Sequence, residues 1–363
     1  MESLDAWLLL NASGLTTLRQ HALLRAFERP ECIFEASESR IAEVEGIDRS
    51  HIKKLRDAQR LINVADTKNA MAAANINLLT WGSEAYPALL SEIDGAPPSL
   101  FVEGGILRED DQAVGIVGTR KCSAYGRQVA KRLAGDLARR GFTIVSGMAE
   151  GIDGEAHRGA LEAGGRTIAV MASGADITYP RSHRGLREEI AGNGAVMTEF
   201  AFGAAPLRER FPSRNRVVSG LCMGVVVVEA PTRSGALITA RHASEQGREV
   251  CAVPGDVNSP LSHGCHMLIK DGARLVEVAE DVVEALGVML EAVPERSVPR
   301  EEQPELTGDE AAIMKTLSFE PRQVDEIAEA TEFPTAAVNA TLMMLEMKGL
   351  VRRFPGNTYV RIS

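Results

Sequence analysis

Four consecutive valines, Val225 to Val228, followed by Glu229 and the turn APTRSGALITA, constrain this chain more than any other stretch. A strand covered on both faces shows an unbroken β-branched run, and such strands belong to parallel sheets with helices on both sides. Shorter runs of the same kind recur at Val114 to Val117, Thr143 to Val145, Thr167 to Met171, Ala195 to Glu199, Val250 to Val253 and Arg274 to Val276. Amphipathic stretches separate them, as from Tyr125 to Arg140, where Val129, Leu133 and Leu137 fall on one helical face. The alternation predicts a doubly wound α/β domain with a mostly parallel sheet, from Ala113 to about Gly287.

Other patterns flank it. Residues 1–75 carry helical periodicity and few strand signals, which predicts an N-terminal helical domain of several short helices, one that resembles SAM or helix-hairpin-helix domains. Within it, VEGIDRSHIKKLRDA, with Gly46 between two apolar-periodic pieces, fits a turn whose amides hold a phosphate, and equally fits plain helical packing. Leu78 to Gly104, with Tyr86-Pro87 and Pro97-Pro98, is expected to be an extended connection, so that the central domain covers 76–290. Residues 291–306 are rich in Pro and Glu and predict an acidic linker. Three helix patterns and a hairpin around Pro355, Gly356 and Asn357 make 307–363 a winged helix. Its candidate recognition helix, PTAAVNATLMMLEM, has no Lys or Arg, which counts against base readout and against a transcription regulator.

At 363 residues with 45% hydrophobic composition, the chain can bury several cores. No apolar run approaches the roughly 20 residues of a membrane helix, and the N-terminus lacks the basic start of a secretory signal, so a cytoplasmic protein is expected. Its five cysteines form no C-x-x-C pair, so neither a metal site nor a disulfide framework is expected, and no cofactor. The net charge of −10 hides an uneven distribution. Gln112 to Gly135 holds five basic residues and no acid, and Ala205 to Val250 holds seven arginines against four glutamates. Glu291 to Glu310 instead holds seven acids against two arginines.

Ligands of open α/β sheets bind beyond the carboxyl ends of the strands. Gly118, Thr119 and Arg120 follow the first strand and precede a helix, where backbone amides and the helix dipole favour an anion. The second strand ends in Ser146 and Gly147, with Gly151 and Gly154 for close backbone approach and Asp153 as an expected N-cap. Arg214 and Arg216, beside the valine run, and Arg233, Ser234 and Gly235, after it, are expected at the same rim, where Arg208 and Phe211 add a cation and a stacking ring. Such a rim suits a phosphate-bearing polymer, and single strands in particular bind through aromatic stacking beside a basic track. No G-x-G-x-x-G follows a strand, and G-x-x-x-x-G-K-[ST], G-x-S-x-G and H-E-x-x-H are absent, which leaves an enzyme without a nucleophile. Two carboxyl readings compete: Asp153 with His157 as an acid–base or metal pair, and Glu199 or Glu229 as a catalytic carboxylate rather than a partner for arginine.

The motifs GTRxxSxYG, SGxAxGID with His157, Tyr179-Pro180, FPxRNR, VVVVEA with SGALITA, VPGD and GCHxLIxxGA resemble, in order, those of the DNA-processing protein A (DprA, or Smf) family, from about Leu78 to Leu286. The resemblance implies an extended Rossmann-like domain that binds single-stranded DNA without hydrolysing nucleotide. It also implies a homodimer that loads the RecA recombinase onto incoming strands in natural transformation. Carried over by motif, Arg120, Arg208, Phe211 and Arg248 are DNA contacts, with Arg214, Arg216, Ser234 and Gly235 on the same rim, and the dimer contact falls at His266, Ile269 and Leu275. The alternative is a nucleotide phosphoribohydrolase of related fold, using Glu199 or Glu229, whose P-G-G-x-G-T turn is missing here.

Overall fold

The computed structural model describes residues 1–287, 306–318, 321–354 and 356–361, in two compact units, Met1–Arg296 and Ser297–Ser363. The first unit opens with helices α1 (Ser3–Ala12), α2 (Thr17–Phe27), α3 (Pro30–Glu35), α4 (Glu38–Ala42), α5 (Arg49–Leu61) and α6 (Val64–Ala73). Leu9, Leu10, Leu23, Ile33, Phe34, Ile41 and Leu55 meet there in one buried cluster. The turn before α5 keeps its amides for itself, because Asp48 accepts from Ser50 N at 2.7 Å and His51 N at 3.0 Å.

The chain continues through β1 (Ile76–Thr80), α7 (Ala88–Ser91), β2 (Ser99–Gly104), β3 (Ala113–Val117), α8 (Ala124–Arg139), β4 (Thr143–Ser146), α9 (Ile152–Glu162) and β5 (Thr167–Val170). Then come α10 (Arg184–Asn193), β6 (Gly194–Thr198), α11 (Arg210–Gly220), β7 (Gly224–Val227), α12 (Gly235–Glu245), β8 (Glu249–Ala252), α13 (His263–Lys270), β9 (Arg274–Leu275) and α14 (Ala279–Leu286). The described strands form a nine-stranded sheet in the order β1-β2-β6-β5-β4-β3-β7-β8-β9. From β6 to β9 it is parallel, and β2 and β1 extend it antiparallel beyond β6. The stretch expected to be an extended connection thus holds the edge strand β1, the helix α7 and the strand β2, which is paired on both sides. Pro97 and Pro98 stand just before β2, and the Pro98 carbonyl still accepts from Trp81 N at 2.8 Å, so the prolines end the pairing without preventing it.

The valine run alternates as a doubly covered strand must. Val225 and Val227 enter the cluster built with Val217 and Val218 of α11 and Ala236 and Ala240 of α12, while Val226 and Val228 enter the opposite cluster with Val129 and Leu133 of α8 and Ala156 of α9. All four are at most 2% exposed, which contributes about 1.5–3 kcal/mol each relative to an exposed side chain. From β3 the strand order runs β4, β5, β6 one way and β7, β8, β9 the other, so the topological switch lies between β3 and β7.

The second unit has α15 (Gly308–Thr316), β10 (Arg322–Gln323), α16 (Val324–Thr331), α17 (Thr335–Met347), β11 (Val351–Phe354) and β12 (Thr358–Arg361). Its antiparallel sheet has the order β10-β12-β11, and Ile313, Ile327, Val338, Leu342, Leu345 and Val351 fill its core. This is a winged helix. The acidic linker expected at 291–306 lies outside the described residues, except for Leu306.

Candidate functional site

A groove of about 1160 Å³ opens at the switch point, larger than the roughly 300–1,000 Å³ of most small-molecule pockets. One wall is the loop after β3, with Gly118, Thr119, Arg120 and Lys121. The loop after β7 and the helix α12 supply Arg233, Ser234, Gly235 and Arg241, and the approach to α11 and its first turn supply Arg208 and Phe211. Gly147 and Arg214 lie at its floor, and Tyr179 faces it from the loop after β5.

Its aromatic centre is built from three segments. The Arg120 guanidinium lies 4.6 Å from the Phe211 ring centroid, and Tyr179 meets the same ring edge-to-face at 5.9 Å. Arg120, Lys121, Arg208 and Arg233 are exposed and make no ion pair among the described residues, while Arg241 stands 3.7 Å from Glu245 of its own helix. Four unpaired cations round an aromatic pair form a surface that attracts polyanions and offers bases a stacking platform.

Beneath, the packing is tight. Arg214 is 4% exposed and donates from Nη1 to the carbonyls of Gly147 and Val170, tying the ends of β4 and β5 to α11. A side chain at Gly147 would collide with that guanidinium. Burial lowers the Arg214 pKa to about 10, against the opposing attraction of Asp153, so it stays charged. Asp153 is not the N-cap expected from the sequence. The cap position of α9 is Gly151, at φ +80, and Asp153 lies buried in the first turn, accepting from Ala149 N at 3.3 Å, with burial raising its pKa. His157 is buried, with Nδ1 2.7 Å from Thr167 Oγ1, and burial takes its pKa down to about 3. Asp153 and His157 therefore face different partners.

The anion expected at the helix after β3 is the protein's own. Glu229 accepts from Ser123 N at 2.9 Å and from Ser123 Oγ at 2.5 Å, at the N-terminus of α8, while its carbonyl takes the Thr119 amide at 2.8 Å. Glu199 is paired with Arg216, and burial raises its pKa despite that attraction. Neither carboxylate lines the groove.

Several expected rim residues lie elsewhere. Ser146 is fully buried and donates to the Ile116 carbonyl at 2.6 Å, inside the sheet. Arg216 points from α11 to Glu199, away from Arg214, because residues two apart on a helix are rotated by about 200°. Arg248 donates to the Leu89 carbonyl at 2.9 Å and stands 3.3 Å from Glu92, outside the groove lining. Of the expected dimer residues, Leu275 is 49% exposed, Ile269 packs half-buried on the core, and His266 Nε2 lies 3.1 Å from the Gly255 carbonyl. Tyr179, Lys121 and Arg241 line the groove but have no site role in the sequence reading. Tyr179 was visible only as half of a Tyr-Pro motif, and Arg241 is signalled by its spacing on α12, which repeats that of the groove-facing Leu237 and Ile238.

The family model described as DNA recombination-mediator protein A matches residues 77–287, and the model of the DprA winged helix domain matches 297–357. The chain is 34% identical to Protein Smf of Synechocystis over 98% of its own length and 97% of that protein. Among solved structures, DNA processing protein A from Streptococcus pneumoniae superposes with a TM-score of 0.69 at 35% identity, covering 78% of this chain and 98% of that one. DNA processing protein A from Helicobacter pylori, whose structure concerns its single-stranded DNA binding mode, gives a TM-score of 0.52 at 29% identity, covering 58% of this chain and 95% of that one.

Proposed function

The chain belongs to the DNA recombination-mediator protein A family, and from that premise we propose that it binds single-stranded DNA in the switch-point groove and mediates recombination without catalysis of its own. The observation that carries this reading is Phe211, flanked by Tyr179 and Arg120 and standing among groove cations that form no ion pair among the described residues. Bases stack on the rings while Arg120, Lys121, Arg208 and Arg233 hold phosphates. The subject of the Helicobacter pylori structure agrees with this assignment. In the same proposal the protein acts in the cytoplasm as a homodimer through Ile269, Leu275 and His266, and loads RecA recombinase onto strands entering during natural transformation. The phosphoribohydrolase alternative loses its candidates, since Glu199 is committed to Arg216 and Glu229 to Ser123.

Titration of a labelled single-stranded oligonucleotide and the matching duplex across a salt series tests the reading. Single strand should bind better, with each phosphate contact contributing about −0.7 to the log–log slope. Arg120→Ala or Arg208→Ala should flatten that slope by about one contact. Phe211→Ala should weaken binding by about 1–3 kcal/mol with the slope unchanged. Parental affinity in all three variants refutes the assignment.

A further inference from the structure

The loop of residues 200–209, which brings Pro206 and Arg208 to the groove and leads into α11, is anchored at its root by a side chain from the other end of the sequence. Asn11, in the last turn of α1, donates from Nδ2 to the Glu199 carbonyl at 2.8 Å and to Ser99 Oγ at 3.2 Å. Glu199 holds Arg216, and Gln246 Nε2 donates to the Arg216 carbonyl at 3.0 Å, so one polar chain runs from α1 to α11. Four atoms of that chain, Asn11 Oδ1, Glu199 Oε1, Arg216 Nη1 and Gln246 Oε1, are buried with no hydrogen-bond partner among the described residues. Buried polar atoms are almost always satisfied, so Asn11 Nδ2, with its two acceptors here, ties α1 firmly to the start of the loop. Further along the loop, Phe202 meets Phe101 edge-to-face at 5.2 Å and packs on a cluster that includes Leu8 of α1 and Met71 of α6.

We propose that the N-terminal helices are a positioning element for the groove: Asn11, through the Glu199 backbone, and Leu8, through Phe202, hold the loop so that Arg208 and Phe211 stand opposite Arg120. Asn11 does not line the groove, so a ligand senses it only through the loop. The physical link is contiguous: α1 fixes the residue after β6, that residue begins the loop, and the loop ends in the first turn of α11, where Phe211 sits. Arg233, on the opposite wall, follows β7 and shares none of these contacts. The proposal rests on the single-strand reading of the groove and adds a determinant outside it.

The test uses the full chain with Asn11→Ala or Phe202→Leu, alone and combined with Phe211→Ala or Arg233→Ala, titrated with a fluorescent oligothymidylate across a salt series. Each single change should weaken binding about two- to thirtyfold, the span of couplings of this kind, with the salt slope flattened by no more than the one phosphate contact of Arg208. Each should be non-additive with Phe211→Ala and additive with Arg233→Ala. If Asn11→Ala does not fold, Phe202→Leu carries the test alone. Affinity within twofold of the parent, while Phe211→Ala is weakened, overturns the proposal, as does additivity with Phe211→Ala. Parental affinity in Phe211→Ala and Arg233→Ala themselves would remove the single-strand reading, and the proposal with it.

Discussion

Arg214 carries its charge where solvent hardly reaches, beside the buried carboxyl of Asp153 and under two backbone carbonyls. Removing one side of such an arrangement leaves buried acceptors and a carboxyl uncompensated, so Arg214→Ala should cost about 3–5 kcal/mol of stability. Arg233→Ala, an exposed change, should stay within about 0.5 kcal/mol, and urea midpoints of the two variants check the contrast. His157 gives a second residue-scale expectation. Its ordinary pKa of 6.5 is depressed by burial to about 3, so below about pH 6.5 the unfolded chain takes up a proton that the folded chain refuses. The stability present above that pH is therefore lost as pH falls from about 6.5 towards 3, at up to about 1.4 kcal/mol per pH unit. Urea unfolding between about pH 6.5 and 5, where few carboxylates titrate, should show that slope in the parent and about one proton less of it in His157→Gln.

At the scale of elements, the turn that aims Arg120 depends on the start of α9. Gly151 adopts φ +80 with no room for a side chain beside the Thr119 and Arg120 carbonyls, and Ile152 N donates to the Thr119 carbonyl at 3.3 Å. Gly151→Ala should therefore displace the turn, lowering stability by about 1–3 kcal/mol and weakening single-strand binding. A folded variant with parental affinity would show that the turn does not set the contact. The central strands were legible because burial on both faces makes them continuous, as Val225 to Val228 shows. The strand β1 was not, because only Ile76 in it is fully buried, and a half-covered edge strand shows no such run. The helix α11 is hidden in its own letters: Pro212 interrupts the pattern, yet it falls in the first turn, where no helical hydrogen bond needs its missing N–H. Without that helix the opposite directions of Arg214 and Arg216 could not be foreseen, and nothing in the letters tells a buried arginine from an exposed one.

For the whole molecule, the winged helix forms a compact unit of its own, and α17 presents Met343, Met344 and Met347 to solvent without a single cation. Ending the chain after Arg296 should leave most of the single-strand affinity, and a loss beyond about a hundredfold, or about 2.7 kcal/mol, would place the main site on the second unit. Glu229 bears on how the protein behaves in a cell crowded with mononucleotides. The seat that a sheet of this kind offers a dinucleotide, at the helix following its first parallel strand, is permanently occupied by an internal carboxylate. ATP or NAD arriving there meets like charge instead of free amides, so millimolar ATP should displace a bound oligonucleotide no better than simple salt of equal ionic strength.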